Sequence, residues 1–237
     1  MISASLSALI APALIAQGAD VSAKIILHGD KHTNSGAHAT EGPDNVVVWL
    51  SPLQAVDLKP PVTPHPPYRL LQKDKQFHPH LLVVPTGTSV EFPNADPFFH
   101  NVFSLFNGKR FDLGLYESGT SRSVKFDREG VSYIFCNIHP EMGAVVLALS
   151  TPYYSISNAD GTVTIRGVPP GTYRLNVWSE NAQLLPPSEN QRIVQINPES
   201  AGTVRLGEIA MQPAANPHGD HKNKFGGDYV PEARTPY

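Results

Sequence analysis

Proline and glycine punctuate this chain so closely that long helices have no room. Among its 237 residues are 23 prolines and 18 glycines, and the runs between them are rich in Val, Ile, Leu, Phe and Tyr. Such runs, bounded by turn formers, read as short strands. They are predicted at Ala23–Leu27, Asn45–Leu50, Tyr68–Gln72, Leu81–Val84, Thr88–Phe92, Asn101–Ser104, Ser121–Phe126, Val131–Phe135 and Ala144–Leu149. A second group follows at Tyr154–Ser157, Thr162–Ile165, Thr172–Trp178, Arg192–Ile196 and Thr203–Leu206, with Asn158-Ala-Asp-Gly161 as a hairpin turn. Strands this short and this regularly spaced make an all-β sandwich or barrel.

Hydrophobic residues make up 41% of the chain, enough for a true core. The net charge of −3 gives no reason to expect nucleic acid or an acidic membrane surface as a partner. A single cysteine excludes an intramolecular disulfide and leaves a thiol that must be protected or ligated. The N-terminus is apolar, with no charge before Asp20, and small residues suit cleavage after Gly18. Residues 1–20 therefore read as a signal peptide, although no Lys or Arg precedes the apolar run, and the mature chain is expected to be periplasmic or secreted. The run is short for a membrane span and holds Pro12, and no later stretch approaches a spanning length. Residues 57–67 carry closely spaced prolines and read as a stiff connector. Residues 211–237 offer little to bury and are expected to form a disordered tail.

The chemistry concentrates at Cys136. It stands in Tyr133-Ile-Phe-Cys136-Asn-Ile-His139-Pro-Glu-Met142, at the end of a predicted strand. A thiol, an imidazole three residues on and a thioether three beyond that can converge from one tight loop. Two imidazoles and a thiolate with a weak axial Met form the ligand set of a blue-copper electron-transfer centre. The second imidazole is expected from His100, which opens the strand after the loop Asn94-Ala-Asp-Pro-Phe-Phe. Asn101 is the expected supporting residue, its side-chain amide tying that loop to the Cys136 loop. Zinc is the inorganic rival, because Cys/His/His also suits Zn²⁺, but Met142 argues against a dedicated zinc site. No motif supports a Cys–His nucleophile. A multicopper enzyme would need several His-x-His pairs, and the one present, His78-Pro-His80, reads as exposed histidines entering a strand. His28, His32, His38, His218 and His221 read as solvated, and Phe98 and Phe99 as packing residues.

On these residues the chain resembles the cupredoxins, with the amicyanin-type ligand spacing Cys-x-x-His-x-x-Met. Further points of likeness are Val83-Val-Pro-Thr-Gly87-Thr-Ser-Val90-Glu-Phe92, Pro93-Asn-Ala-Asp96, His100-Asn-Val102 and Gly130-Val-Ser-Tyr-Ile-Phe-Cys136. The likeness covers about residues 68–150. It departs at Asn137-Ile138, where the amicyanin-type loop usually has Thr-Pro. The resemblance implies a Greek-key β-sandwich holding one type 1 copper ion, with His100, Cys136 and His139 as strong ligands and Met142 axial. Residues 21–56 and 151–210 are similar to carboxypeptidase regulatory-like domains, on Val46-Val-Val-Trp-Leu-Ser-Pro52 and Val168-Pro-Pro-Gly-Thr-Tyr173-Arg-Leu175. Together with Thr151-Pro-Tyr-Tyr154, these stretches also resemble bacterial methylamine utilization proteins. That implies a smaller Ig-like β-sandwich into which the cupredoxin is inserted; alternatively, the first strands belong to the cupredoxin itself. The expected function is single-electron transfer with a cytochrome or dehydrogenase as partner, not enzymatic turnover. Copper binding or delivery without electron transfer, and a structural sandwich with a stabilising metal, are the other readings.

Overall fold

The computed structural model describes residues 18–28, 43–54, 67–105, 108–185, 192–200, 202–214 and 222–229. The signal-peptide reading up to residue 17, the connector through residue 66, and His32, His38, His218 and His221 lie outside the described residues. The described residues contain no helix, and so none long and apolar enough to cross a membrane.

The chain opens with β1 (Ala19–Leu27) and β2 (Val47–Pro52). It continues through β3 (Tyr68–Arg69), β4 (Leu71–Lys73), β5 (Gln76–His78), β6 (Leu81–Pro85), β7 (Thr88–Pro93), β8 (His100–Ser104), β9 (Phe111–Tyr116), β10 (Ser121–Phe126), β11 (Gly130–Cys136) and β12 (Gly143–Leu149). It ends with β13 (Tyr154–Ile156), β14 (Thr162–Val168), β15 (Gly171–Trp178), β16 (Ala182–Leu184), β17 (Ile193–Ile196) and β18 (Thr203–Pro213). The middle group makes one sandwich, from the sheets β10-β7-β3 and β6-β12-β11-β8-β9, with β4 and β5 as a separate hairpin. The outer groups make the other, from β14-β1-β18-β16 and β13-β2-β15-β17. The chain thus leaves the second sandwich at β2 and returns at β13. These two strands pair, Trp49 opposite Tyr154, so exit and return lie side by side.

β11 and β12 explain how the two sandwiches meet. Their sequences, Gly-Val-Ser-Tyr-Ile-Phe-Cys and Gly-Ala-Val-Val-Leu-Ala-Leu, lack the apolar–polar alternation of a half-buried strand. Both faces are covered, and side chains divide by parity. Ile134, Cys136, Ala144, Val146 and Ala148 enter the core of the first sandwich, with Val90, Phe92, Val102, Phe126 and Met142. Tyr133, Phe135 and Val145 pack on the opposite face with Phe103. Leu147 and Leu149 also lie there, packed with Val47 of β2 and against Trp49, Tyr154 and Trp178. Each such aliphatic side chain contributes about 1.5–3 kcal/mol by leaving water. The second sandwich has its own core, around Val21, Ile25, Leu50, Ile165, Tyr173, Leu175 and Ile209. There the Tyr173 hydroxyl donates to Pro169 O at 2.9 Å, fastening the Pro-Pro-Gly turn, and burial pushes the phenol up to about 12.

Several expectations are corrected. The strand expected from Ala23 begins earlier, as β1 runs from Ala19, whose side chain is fully buried. The strand expected over Tyr68–Gln72 is two strands broken at Leu70, whose side chain turns into the core. β9 was hidden because Gly114, at φ 67°, interrupts its pattern, and the ladder to β8 shifts register there, as strand glycines often signal. The tail expected to be disordered from residue 211 is in part ordered. Met211–Pro213 complete β18, paired through Met211 with Leu27 and through Pro213 with Ala182. Residues 222–229 fold back onto the loop after Cys136. Their composition is polar; local bonds from Asn223 shape the turn, and the bonds that fix it on the Cys136 loop link residues far apart in sequence.

Candidate metal centre

Three donor residues meet at one end of the first sandwich. His100 opens β8 and Cys136 ends the neighbouring β11, with Cys136 opposite Val102. The loop from Cys136 to Met142 closes on itself: Met142 N–H donates to His139 O at 3.1 Å, and Cys136 N–H donates to Met142 O at 3.2 Å. This brings Cys136 Sγ to 3.6 Å from His100 Nδ1 and 3.6 Å from His139 Nδ1. The three donor atoms lie within 4.8 Å of one another, and all three residues are buried. Metal–sulfur and metal–nitrogen bonds of about 2.3 and 2.0 Å, at tetrahedral to trigonal angles, separate S and N by about 3.5–3.8 Å. The observed spacing therefore fits one metal ion between the three. Met142 is fully buried in the same apolar cluster as Cys136. His100 is fully buried, whereas His139 keeps 6% of its surface exposed.

His100 is aimed by its neighbours. Its Nε2 lies 2.9 Å from Asp96 Oδ2. A carboxylate can only accept, so Nε2 carries the proton and Nδ1 offers its lone pair to the site. Asp96 is fixed in turn. It accepts backbone N–H groups of Asp74 at 2.6 Å and Lys75 at 3.1 Å, and its own N–H donates to Asn94 Oδ1 at 3.0 Å. Asp74 and Lys75 form the two-residue turn between β4 and β5, at φ 56° and 55°. Such a turn favours Asn-Gly, and non-glycine residues there cost about 1–2 kcal/mol each. The Asp96 carboxylate offsets that cost by taking both N–H groups. Burial alone would raise the Asp96 carboxyl; hydrogen bonds from His100, Lys75 and Asp74 outweigh it and hold it below its usual range. The Phe98 ring lies 5.3 Å from each imidazole, which stand 4.9 Å apart. Phe98 thus packs as expected, but Phe99 is half exposed, at 51%.

The sulfur has its own donors. Burial pushes the Cys136 thiol up, against backbone N–H groups of Asn101, Ile138 and His139 that favour the thiolate. Asn101 therefore supports the site by a different route from the one expected. Its side-chain amide donates to Asp112 Oδ1 at 2.6 Å and Gly114 O at 3.1 Å on β9. The ties to the Cys136 loop come from its backbone: its N–H faces the sulfur, and its carbonyl accepts Asn137 N–H at 2.9 Å. Below the site, Gln72 is fully buried and bonds the Tyr116 hydroxyl, which donates to Phe92 O. Burial pushes that phenol well up.

Among the described residues, His100, Cys136 and His139 form the one cluster of three or more metal-binding side chains. His78 and His28 are exposed. His80 joins the two sandwiches instead, with Nε2 at 2.5 Å from Glu180 Oε2 and Nδ1 at 3.1 Å from Gly143 O. Sequence reasoning placed Asp96 in the loop before His100 but missed it as the partner of that imidazole. Its spacing of four residues before His100 inside a Pro-flanked loop was the available signal. It also missed Lys224 and Tyr229, for which no local signal exists.

No family model matches this sequence and no curated protein matches it, but solved structures do. A purple cupredoxin from Nitrosopumilus maritimus aligns at 26% identity with a TM-score of 0.32, covering 35% of this chain and 99% of its own. A copper-containing nitrite reductase from Thermus scotoductus aligns at 24% identity with a TM-score of 0.34, covering 42% of this chain and 25% of its own. An amicyanin variant in the Cu(I) state aligns at 17% identity with a TM-score of 0.33, covering 35% of this chain and 82% of its own.

Proposed function

We propose that this protein carries single electrons by means of one type 1 copper ion bound by His100, Cys136 and His139, with Met142 as the weak axial donor. The observation that carries the reading is the convergence of Cys136 Sγ with two Nδ1 atoms, each 3.6 Å away, among buried residues whose apolar cluster includes Met142. Such a donor set, mixed and soft, suits a bound copper that cycles between Cu(II) and Cu(I). The chain's own part is to hold the donors still. Asp96 locks His100, the closed loop locks His139 and Met142, and three N–H groups favour the thiolate. Little movement on a change of charge is what fast electron exchange needs. The slight exposure of His139 makes its ring edge the natural port for a redox partner, with a soluble cytochrome or a dehydrogenase as the expected class. The apolar N-terminal run supports a periplasmic or secreted setting, which cell fractionation of the tagged full-length chain tests.

Delivery of copper without electron transfer is less well supported, because all three donors are buried and release requires the loop to open. Two measurements on the Cu(II)-loaded protein decide the matter. Its visible and EPR spectra should show an intense thiolate-to-copper band, which Cys136→Ser abolishes while leaving a folded β protein. Stopped-flow mixing should show fast electron exchange and slow loss of Cu(I) to a chelator. Slow exchange with rapid Cu(I) loss would overturn the carrier reading in favour of delivery.

A further inference from the structure

Residues Lys222–Tyr229 form a small folded unit. Asn223 organises it: its Oδ1 accepts N–H groups of Phe225 at 3.0 Å and Gly227 at 3.1 Å, and its Nδ2 donates to Asp228 O at 2.9 Å. Backbone bonds join Asn223 N to Gly227 O and Gly226 N to Asn223 O, each at 2.9 Å. Gly226, at φ 80°, supplies the left-handed position the turn needs. Lys222 pairs with Asp228 across the base.

This unit reaches the metal centre at three points. The Tyr229 hydroxyl donates to the carbonyl of Cys136 at 2.9 Å. The Lys224 N–H donates to Asn137 Oδ1 at 2.9 Å. The Lys224 ammonium lies 2.8 Å from Asp112 Oδ2, while Asp112 Oδ1 holds the Asn101 amide at 2.6 Å. Asn101 in turn directs its backbone N–H at the sulfur and its carbonyl at Asn137 N–H. The fastenings form a ring around the sulfur-bearing residue: Tyr229 holds Cys136, Lys224 holds Asn137 and Asp112, and Asp112 holds Asn101.

We propose that residues 222–229 are a strap that positions the thiolate loop and limits its opening, with Lys224 and Tyr229 as the positioning residues. This rests on the reading of His100, Cys136, His139 and Met142 as a metal site. Because the sulfur is fully buried between the loop and β8, anything that reaches it, a metal ion or a thiol reagent, requires Cys136–Met142 to move away from β8. The docked strap opposes that movement by holding the loop's first two residues. An undocked strap leaves the Cys136 carbonyl and the Asn137 amide without those partners. The strap therefore acts on the rates of metal entry and exit and on how firmly the sulfur is oriented.

The test uses the full chain and three variants: Tyr229→Phe, which removes one oxygen; Lys224→Met, which removes the charge; and the double variant. The first readout is the rate at which Cys136 of the metal-free protein reacts with a disulfide reagent such as dithiobis-nitrobenzoate. Each hydrogen bond lost should raise it about three- to tenfold, with a larger rise in the double variant. Lys224→Arg, which keeps the cation on Asp112, should return it close to the parent rate. The second is amide exchange at Asn137 and His139, which should quicken in the same order. The third, on copper-loaded protein, is the EPR spectrum, whose hyperfine coupling should broaden or shift in the double variant. Far-UV circular dichroism identifies any variant that has failed to fold, and Tyr229→Phe alone then decides. An unchanged thiol rate and unchanged exchange in folded variants would overturn the strap. Absence of a copper–thiolate band in the parent protein would overturn the metal reading while leaving the thiol and exchange measurements to judge the strap.

Discussion

At the scale of single residues, the centre is governed by where each donor's other contacts go. His100 offers Nδ1 because Asp96 occupies Nε2, and Asp96 can do so because a strained turn hands it two N–H groups. Asp96→Ala should therefore cost more than one hydrogen bond. It frees the imidazole to take the other tautomer and leaves Asp74 and Lys75 without their acceptor. Metal affinity should fall about 10- to 100-fold, the usual scale for losing a residue that orients a ligand, as read by competition with a Cu(I) chelator. Met142 belongs to the same apolar cluster as Cys136 and is proposed as the weaker donor. Met142→Leu keeps the volume and the burial and removes the thioether, so copper should stay bound while the reduction potential rises, because a lost donor disfavours Cu(II) more than Cu(I). An unchanged potential and EPR spectrum would remove Met142 from the ligand set. The convergence of Cys136 and His139 was legible in the sequence because their spacing of three on one loop is local, whereas His100, 36 residues earlier, had to be inferred from its place at the start of a strand. Asn101 was legible as a residue but not in its action, since a sequence does not say whether side chain or backbone faces the sulfur.

At the scale of elements, legibility follows the hydrogen-bond partners. β6, β11 and β12 carry near-continuous apolar runs, and β7 and β10 alternate buried Val and Phe with polar residues, so these strands stand out without knowledge of their neighbours. β9, β16 and the strap do not, because what orders them lies elsewhere. β9 is an edge strand with Gly114 in it, and the strap is held by Asn137, Asp112 and Cys136, more than 80 residues earlier. The strap also carries a dependence on acid. Burial pulls the Asp112 carboxyl up, but Lys224, the Gly114 N–H and the Asn101 amide outweigh it and hold it below its ordinary 3.8. Of these only Lys224 belongs to the strap, so docking lowers the carboxyl further through that contact alone; the docked form keeps this stabilisation above the undocked value and loses it as pH falls through the docked one. The other ion pair of the strap, Lys222 with Asp228, is largely exposed and adds little. Docking should therefore be constant from neutral pH down to about pH 4 and weaken below it. Chemical shifts of the Lys224 amide and the Tyr229 ring in metal-free protein check this, and a release centred near pH 6 would point away from Asp112.

At the scale of the whole molecule, the decisive feature is that β12 is buried on both faces. Its Ala144, Val146 and Ala148 complete the core that contains Cys136 and Met142. Its Leu147 and Leu149 pack with Val47 of β2, against Trp49 and Trp178. The His80–Glu180 contact spans the same junction and also engages Gly143, the residue after Met142. Units within one chain commonly move against each other unless the interface is large and apolar. Here the interface is a sheet face, and the strand that forms it carries the end of the metal loop. The sandwiches should consequently unfold together. Ile165 lies 1% exposed in the core of the second sandwich, in a cluster separate from the metal centre's. Ile165→Ala should remove about 2–5 kcal/mol by leaving a cavity. If the units are coupled, amide exchange at Ile134 in the first sandwich should quicken along with exchange at Leu175 in the second, and heating should give one transition by near-UV circular dichroism. If they are independent, Leu175 alone should respond, two transitions should appear, and the apolar junction at Leu147 and Leu149 would be a contact without thermodynamic consequence for the metal centre.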